Sequence, residues 1–288
     1  MPSDNEVFLD GNLILHFLPA VDLISGCLLG FEALVRWQHP EEGVIPPSVL
    51  LPWAEKSGYI ADLNAWVLSE ACSQAAGWPS AIQVAVNCST SQVRDHQTSA
   101  AAANALEQSG LNPDRLTIEV TETTVADELA GDDLHELSRL GVHLAIDNVG
   151  TNWSTLGNLR RFAIETAKID REFISGLEME DGVNRAIVEA IIRVSHSLAM
   201  STVAEGVELA QQVEILRDFG AEVAEGYFFT RPLPADQAYE LANTEPRTVF
   251  SLTEAAQNLR SNNTGPRDVA VQQSTADGEL DLTKAHVL

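Results

Sequence analysis

Polar residues stand at the ends of apolar runs, where a packed core would exclude them. They are Glu32 and Arg36, Asn87, Glu119 and Glu122, Asp147 with Asn148, Lys168 with Asp170, Glu205 with Glu208, and Glu225. The Glu, Asp and Asn side chains offer oxygen donors only, a set that suits Mg²⁺ or Mn²⁺ and not zinc. Arg36 and Lys168 add the positive charge that a phosphate ester requires. One acid at a strand end is more often the cap of the next helix, and Asp170 and Glu208 fit that role. As a set, carboxylates gathered in one concavity repel, and their pKa values rise unless a cation neutralises them. Asp22 and Glu55 read as turn and helix-surface residues. His39, His96 and His143 have no companions at ligand spacing and read as solvated or core histidines.

The elements that would gather these residues alternate along the chain. Strands are expected at 13–23, 27–37, 82–89, 115–122, 142–148, 166–170, 201–206 and 222–229, with helical patterns at 64–78, 184–199 and 210–220. Strand–helix alternation implies a mainly parallel sheet with helices outside. About eight strands in one such unit predict an α/β fold of TIM-like (β/α)8 barrel type, in which the carboxyl ends of the strands meet on one face. Only Ile24-Ser25-Gly26 separates the first two runs, so they read as a hairpin with one antiparallel strand. Residues 1–12 read as an N-terminal extension and 13–244 as the folded domain. A helix follows Pro234 at ADQAYELAN, and from 245 to 288 the polar, aperiodic composition predicts a flexible tail, with at most a short helix at SLTEAAQNLR.

Bulk properties narrow the partners. The chain has 288 residues, 45% of them hydrophobic, enough for a sizeable core. Its 17 basic residues against 42 acidic ones leave a net charge of -25, which argues against binding nucleic-acid polymers or anionic membranes. Cys27, Cys72 and Cys88 lie in apolar segments without metal-like spacing and read as buried thiols. The amino terminus lacks the pattern of a signal peptide, and no run of about 18 apolar residues exists, so a cytoplasmic protein is expected.

The stretches FEALVRWQHPEEGVIPP, LPWAEKSGYI, VAVNCS, IEVTET, IDNVGT, AKIDREFI, VAEGVE, EGYFF and RPLP occur in that order over about residues 13 to 240. Together they resemble the EAL-domain family of cyclic di-GMP phosphodiesterases. The resemblance implies a barrel with one antiparallel strand and hydrolysis of cyclic di-GMP to linear pGpG, with two Mg²⁺ or Mn²⁺ ions activating a water for in-line attack. Glu32, Asn87, Glu119, Asp147 and Glu205 match the family's metal ligands, with Glu32 and Asp147 also part of its catalytic set. Lys168 matches the lysine that orients the nucleophilic water, and Arg36 the arginine on substrate phosphate. Leu34, Leu18 and Glu225 fall at substrate-contacting positions. Glu122 matches the glutamate that tethers the loop after the paired aspartates, a loop that here contains Thr151. The family also implies a homodimer. No sensory or cyclase domain is expected from these motifs, so regulation would come from a protein partner, from dimerisation, or from substrate and metal supply.

Four positions depart from the family pattern. Asn148 replaces the second aspartate of the pair; it keeps a carbonyl oxygen but lacks the charge that holds a hard cation. The first ion keeps its ligands, while the second site is weakened, and in a two-metal mechanism that should slow the reaction. Asn152 replaces a glycine, a change that Asn tolerates at positive φ. Leu18 stands where the family has Gln and removes a polar contact. Glu225 replaces a Gln and adds negative charge beside an anionic ligand. Three readings follow: a weakened phosphodiesterase, a receptor that binds cyclic di-GMP without cutting it, and an interaction protein that has abandoned the nucleotide. The intact first-metal set favours the enzyme.

Overall fold

In the computed structural model, residues 12–39, 42–150, 162–179 and 182–244 are described. The segments read above as an extension and a tail, the short helix at 251–260, and the loop positions Thr151 and Asn152 lie outside them, apart from residue 12.

The described residues form ten strands: β1 Leu13–Asp22, β2 Leu28–His39, β3 Gly43–Ile45, β4 Gln83–Asn87, β5 Leu116–Thr121, β6 His143–Val149, β7 Ile164–Ile169, β8 Ser201–Ala204, β9 Val223–Ala224 and β10 Leu233–Pro234. From β2 through β4, β5, β6, β7 and β8 to β9, each strand pairs in parallel with the next. β1 closes the ring by pairing antiparallel with both β2 and β9. The result is the closed eight-stranded barrel with one reversed strand that the alternation and the hairpin predict. The remaining strands are short additions: β3 pairs with the far end of β2, and β10 lies beside β1.

Alternation explains β1. Its buried positions are Leu13, Leu15, Phe17, Pro19 and Val21, while the half-buried residues between them point to the other face. That second face pairs Leu18 with Glu32 and His16 with Leu34 across the hairpin. The period of two therefore puts Glu32, Leu34 and Arg36 on one side of β2. Opposite them, Phe17 and Phe31 meet Trp78 edge-on or tilted, at ring distances of 5.2 and 4.9 Å.

Helices cover the outside, as a parallel sheet requires. The helix Ile60–Ala76, which stops at Gly77, buries Leu63, Val67, Leu68, Ala71, Cys72 and Ala75 on one stripe. Its last turn is held by Arg115, a buried side chain that donates to the carbonyls of Ala75 at 2.7 Å and Ile82 at 2.8 and 3.0 Å. Such carbonyls have no partner within their own helix. Cys72 and Cys88 are buried, and burial pushes both thiols up to about 12; Cys27 is only partly covered. Among the described residues no helix is long and apolar enough to cross a membrane.

Two strands end sooner than their apolar residues suggest. β8 stops at Ala204 and not at residue 206, because Gly206 takes a positive φ of 69°. β9 keeps only Val223 and Ala224 of the run at 222–229. At Gly226 a Cβ would fall 2.2 Å from the carbonyl oxygen of Val207, and beyond it Phe228 and Phe229 turn into the core. These early stops set Glu205 and Glu225 just beyond the strand ends.

Candidate active site

The carboxyl-end mouth is organised around one buried lysine. Lys168, near the end of β7, is only 1% exposed, and its Nζ lies 2.8 Å from Glu119 Oε1 and 2.8 Å from Glu205 Oε1. Glu32 Oε2 and Glu225 Oε2 stand slightly further off, at 3.4 and 3.5 Å. These acids come from the barrel wall: Glu32 from β2, Glu119 from β5, and Glu205 and Glu225 from the residues following β8 and β9. The backbone fixes the last two, since Glu205 N donates to Ile169 O at 3.1 Å and Glu225 N to Ala204 O at 2.9 Å.

Four carboxylates around one ammonium leave an excess of three negative charges if all are ionised. Burial pushes Glu119 up to about 8 and Glu205 to about 7, against the pull of Lys168, with neighbouring acids adding to the rise. Burial also raises Glu225 well above the ordinary range. Burial alone would lower Lys168, but Glu119, Glu205, Glu225 and Glu32 outweigh it and hold the ammonium well above its usual value.

Asp147 and Asn148 close the mouth at the end of β6. Asn148 sits at φ 58°, a left-handed conformation that Asn tolerates better than most residues. Its backbone N–H donates to Asp147 Oδ1 at 2.7 Å and its side-chain amide to Oδ2 at 2.9 Å. Burial raises Asp147 as well, partly offset by Lys168. Asn87, registered beside Glu119, donates Nδ2 to Glu32 Oε1 at 2.5 Å. Two residues after Asn148, Gly150 N donates to Glu122 Oε1 at 3.3 Å. The contact joins the first residue of the helix Glu122–Ala126 to the backbone that leaves β6.

The donor set fits a hard divalent cation. Oxygens of Glu32, Glu205 and Glu225 lie within 4.8 Å of one another. Glu119 Oε2 and Glu225 Oε2 are buried without a hydrogen-bond partner among the described residues, and acceptor oxygens of that kind call for a cation.

The sequence reading and the geometry coincide for most of the set. Glu32, Glu119, Lys168, Glu205 and Glu225 are in direct contact. The charge of Asp147 adds to the rise of Glu205, and that of Glu32 to the rise of Asp147, each after burial. Leu18 and Glu225 line a cavity of about 580 Å³ with Glu32 and Glu205. Leu34 and Asn87 border a second cavity toward the helices. Arg36 is half-buried on the face of Glu32 and donates to the carbonyl of Val35 at 2.9 Å, leaving most of its guanidinium unused in that bond. Asp170 caps its helix by accepting from Glu172 N at 2.6 Å, as read. Glu208 differs: Gln212 Oε1 takes the N–H groups of Glu208 and Leu209, and Glu208 faces the larger cavity. Sequence reasoning missed Arg171 and Tyr227, which also line that cavity. Tyr227 carries Arg231 over its ring at 4.9 Å. Neither ends an apolar run, the signal used to find the others.

Comparison with known proteins agrees with this arrangement. The family model described as EAL domain matches residues 5–232. The bifunctional diguanylate cyclase/cyclic di-GMP phosphodiesterase MucR of Pseudomonas aeruginosa is 39% identical over 231 residues, 78% of this chain and 34% of that protein. The cyclic di-GMP phosphodiesterase NbdA of the same organism is 38% identical, over 78% of this chain and 29% of its own. A solved structure of the PaMucR phosphodiesterase in complex with c-di-GMP superposes with a TM-score of 0.78 at 38% identity, covering 81% of this chain and 97% of the other. The chain belongs to the EAL domain family. It spans about a third of the length of the curated relatives it matches.

Proposed function

We propose that this chain is a divalent-metal-dependent phosphodiesterase that hydrolyses cyclic di-GMP to linear pGpG. The observation that carries the reading is the ring of Glu32, Glu119, Glu205 and Glu225 around buried Lys168, with the buried Glu119 Oε2 left without a hydrogen-bond partner among the described residues. Metal-free, such a ring is a poor core; with a cation it is a reaction centre. Likeness to MucR and NbdA supports the substrate.

Glu32, Asn87, Glu119, Asp147 and Glu205 would hold the cation, Mg²⁺ or Mn²⁺. When bound, it would polarise the phosphodiester and lower the pKa of a nearby water. Lys168 orients that water through Nζ and, held charged by its four acids, stabilises the developing negative charge. Arg36 would offer guanidinium donors other than the one on Val35 O to a non-bridging phosphate oxygen. Leu18 and Leu34 present apolar surface along β1 and β2 to the nucleotide. The Glu122–Gly150 contact fixes the backbone that leads into Thr151. A homodimer and a regulatory protein partner in the cytoplasm belong to the same proposal, and rest on the family resemblance.

Asn148 supports a second reading, a receptor that binds cyclic di-GMP and cuts it slowly or not at all. Its side-chain amide donates to Asp147 Oδ2, which competes with a cation for that carboxylate. Chromatography of cyclic di-GMP incubated with wild type and with Glu32→Ala, alongside binding measured in Ca²⁺, separates the two. Production of pGpG by the wild type alone is expected. Tight binding with no product from either protein would establish the receptor.

A further inference from the structure

Taken singly, Asn148 and Glu225 each weaken the family pattern, one by losing a negative charge and the other by adding one. The fold brings both into the same mouth. Strand register sets Val149, Ile169, Ala204 and Ala224 level across β6 to β9, each one residue from Asn148, Lys168, Glu205 or Glu225, and Glu205 and Glu225 share one oxygen cluster with Glu32.

We propose that Glu32, Glu205 and Glu225 form a divalent-cation site, in which Glu225 supplies the carboxylate that position 148 lacks. The inference rests on the reading of the mouth as a cation-dependent phosphodiesterase centre, and it relocates one ligand within it. Three observations carry it. Oxygens of the three acids lie within 4.8 Å of one another, a spacing that metal–oxygen distances of about 2.0–2.6 Å can span. Glu225 is 3% exposed, and its Oε2 has no hydrogen-bond partner among the described residues; Lys168 Nζ, at 3.5 Å and shared with three other acids, is the nearest cation to it among them. Its backbone is also pinned on both sides: N donates to Ala204 O at 2.9 Å and O accepts from Val207 N at 3.0 Å. A glutamine in this place would offer a neutral carbonyl, whereas a glutamate offers charge to a hard cation. Asn148, by contrast, uses its side chain here as a donor, which no aspartate could do beside Asp147.

Titrating Mn²⁺ into the metal-free full chain by isothermal calorimetry tests this. Glu225→Gln is expected to weaken Mn²⁺ binding by about 10-fold or more, because ligand charge sets affinity at oxygen sites. Adding Asn148→Asp to that variant is expected to restore most of the loss, by returning the carboxylate to the end of β6. Unchanged or tighter binding in Glu225→Gln would overturn the inference while leaving the phosphodiesterase reading intact. Absence of Mn²⁺ binding in the wild type would overturn both. Circular dichroism melts verify folding. If Glu225→Gln does not fold, the double variant decides: affinity near wild type supports the relocation, and weak binding refutes it.

Discussion

Asn148 donates twice to Asp147, through its backbone N–H at 2.7 Å and its side-chain amide at 2.9 Å. Backbone and side chain of Asn148 thereby each satisfy one oxygen of Asp147, near the end of β6. An aspartate at 148 would have to turn away or share a cation with its neighbour, so a conservative replacement here changes what Asp147 is free to do.

Asn148→Asp releases Asp147 Oδ2 and adds a ligand charge. Turnover of cyclic di-GMP in saturating Mn²⁺ is expected to rise on the order of 10²-fold, the size of one well-placed electrostatic contact. Steady-state kinetics of the variant against wild type would show it. No gain would mean that the amide is not the limiting defect.

Lys168 is the cation that the ring of acids surrounds. Lys168→Met leaves buried carboxylates uncompensated, a loss that typically costs about 3–5 kcal/mol when a buried pair is broken. Urea unfolding of the metal-free variant is expected to show a loss of that order at pH 8. The loss shrinks at pH 5.5, where the acids protonate. Equal losses at both pH values would contradict the ring as the source of the effect.

Folded Glu119 and Glu205 are raised to about 8 and about 7, above the unfolded carboxylate value of about 4.3. Between those limits the folded chain binds more protons than the unfolded one, so stability falls as pH rises. Their contribution is complete below about pH 4 and is lost as pH passes through 7 and 8. The Tm of the EDTA-treated protein should therefore decline from pH 5 to pH 8, and saturating Mn²⁺, which replaces the protons, should flatten the slope. A metal-free Tm that climbs over this range would contradict the burial of these acids.

Gly226 fits because a Cβ would meet Val207 O at 2.2 Å and Val207 N at 2.3 Å. Gly226→Ala must move the backbone that carries Glu225. Overpacking of this kind costs about 1–3 kcal/mol. Thermal melts should show the loss, and Mn²⁺ affinity should fall with it; a variant with wild-type stability and affinity would mean that this close approach is not needed.

Much of this architecture is legible in the residues. The apolar runs located all eight barrel strands, and the polar residues that interrupt or follow them pointed to the acids of the mouth, because a charged side chain in such a run has to meet solvent, a counter-charge or a ligand. The β1–β2 hairpin followed from a short connection at Ile24-Ser25-Gly26. Other features left weaker marks. β3 and β10 are too short for any periodicity. The helix Thr98–Ser109 is built largely from alanine, which forms helix well but draws no clear apolar stripe. The run at 222–229 reads as one strand because nothing in its pattern reveals how closely Gly226 approaches Val207. The bond from the amide of Asn148 to Asp147 was equally invisible, since sequence shows which groups are present and not which one donates.

The central claim is metal-dependent hydrolysis at this mouth, and one assay addresses it: formation of pGpG from cyclic di-GMP by the EDTA-treated chain as Mn²⁺ is titrated back. Expected is no product in EDTA and a rise that saturates with Mn²⁺. Product formed in EDTA at the same rate, or none at any Mn²⁺ or Mg²⁺ concentration, would contradict it.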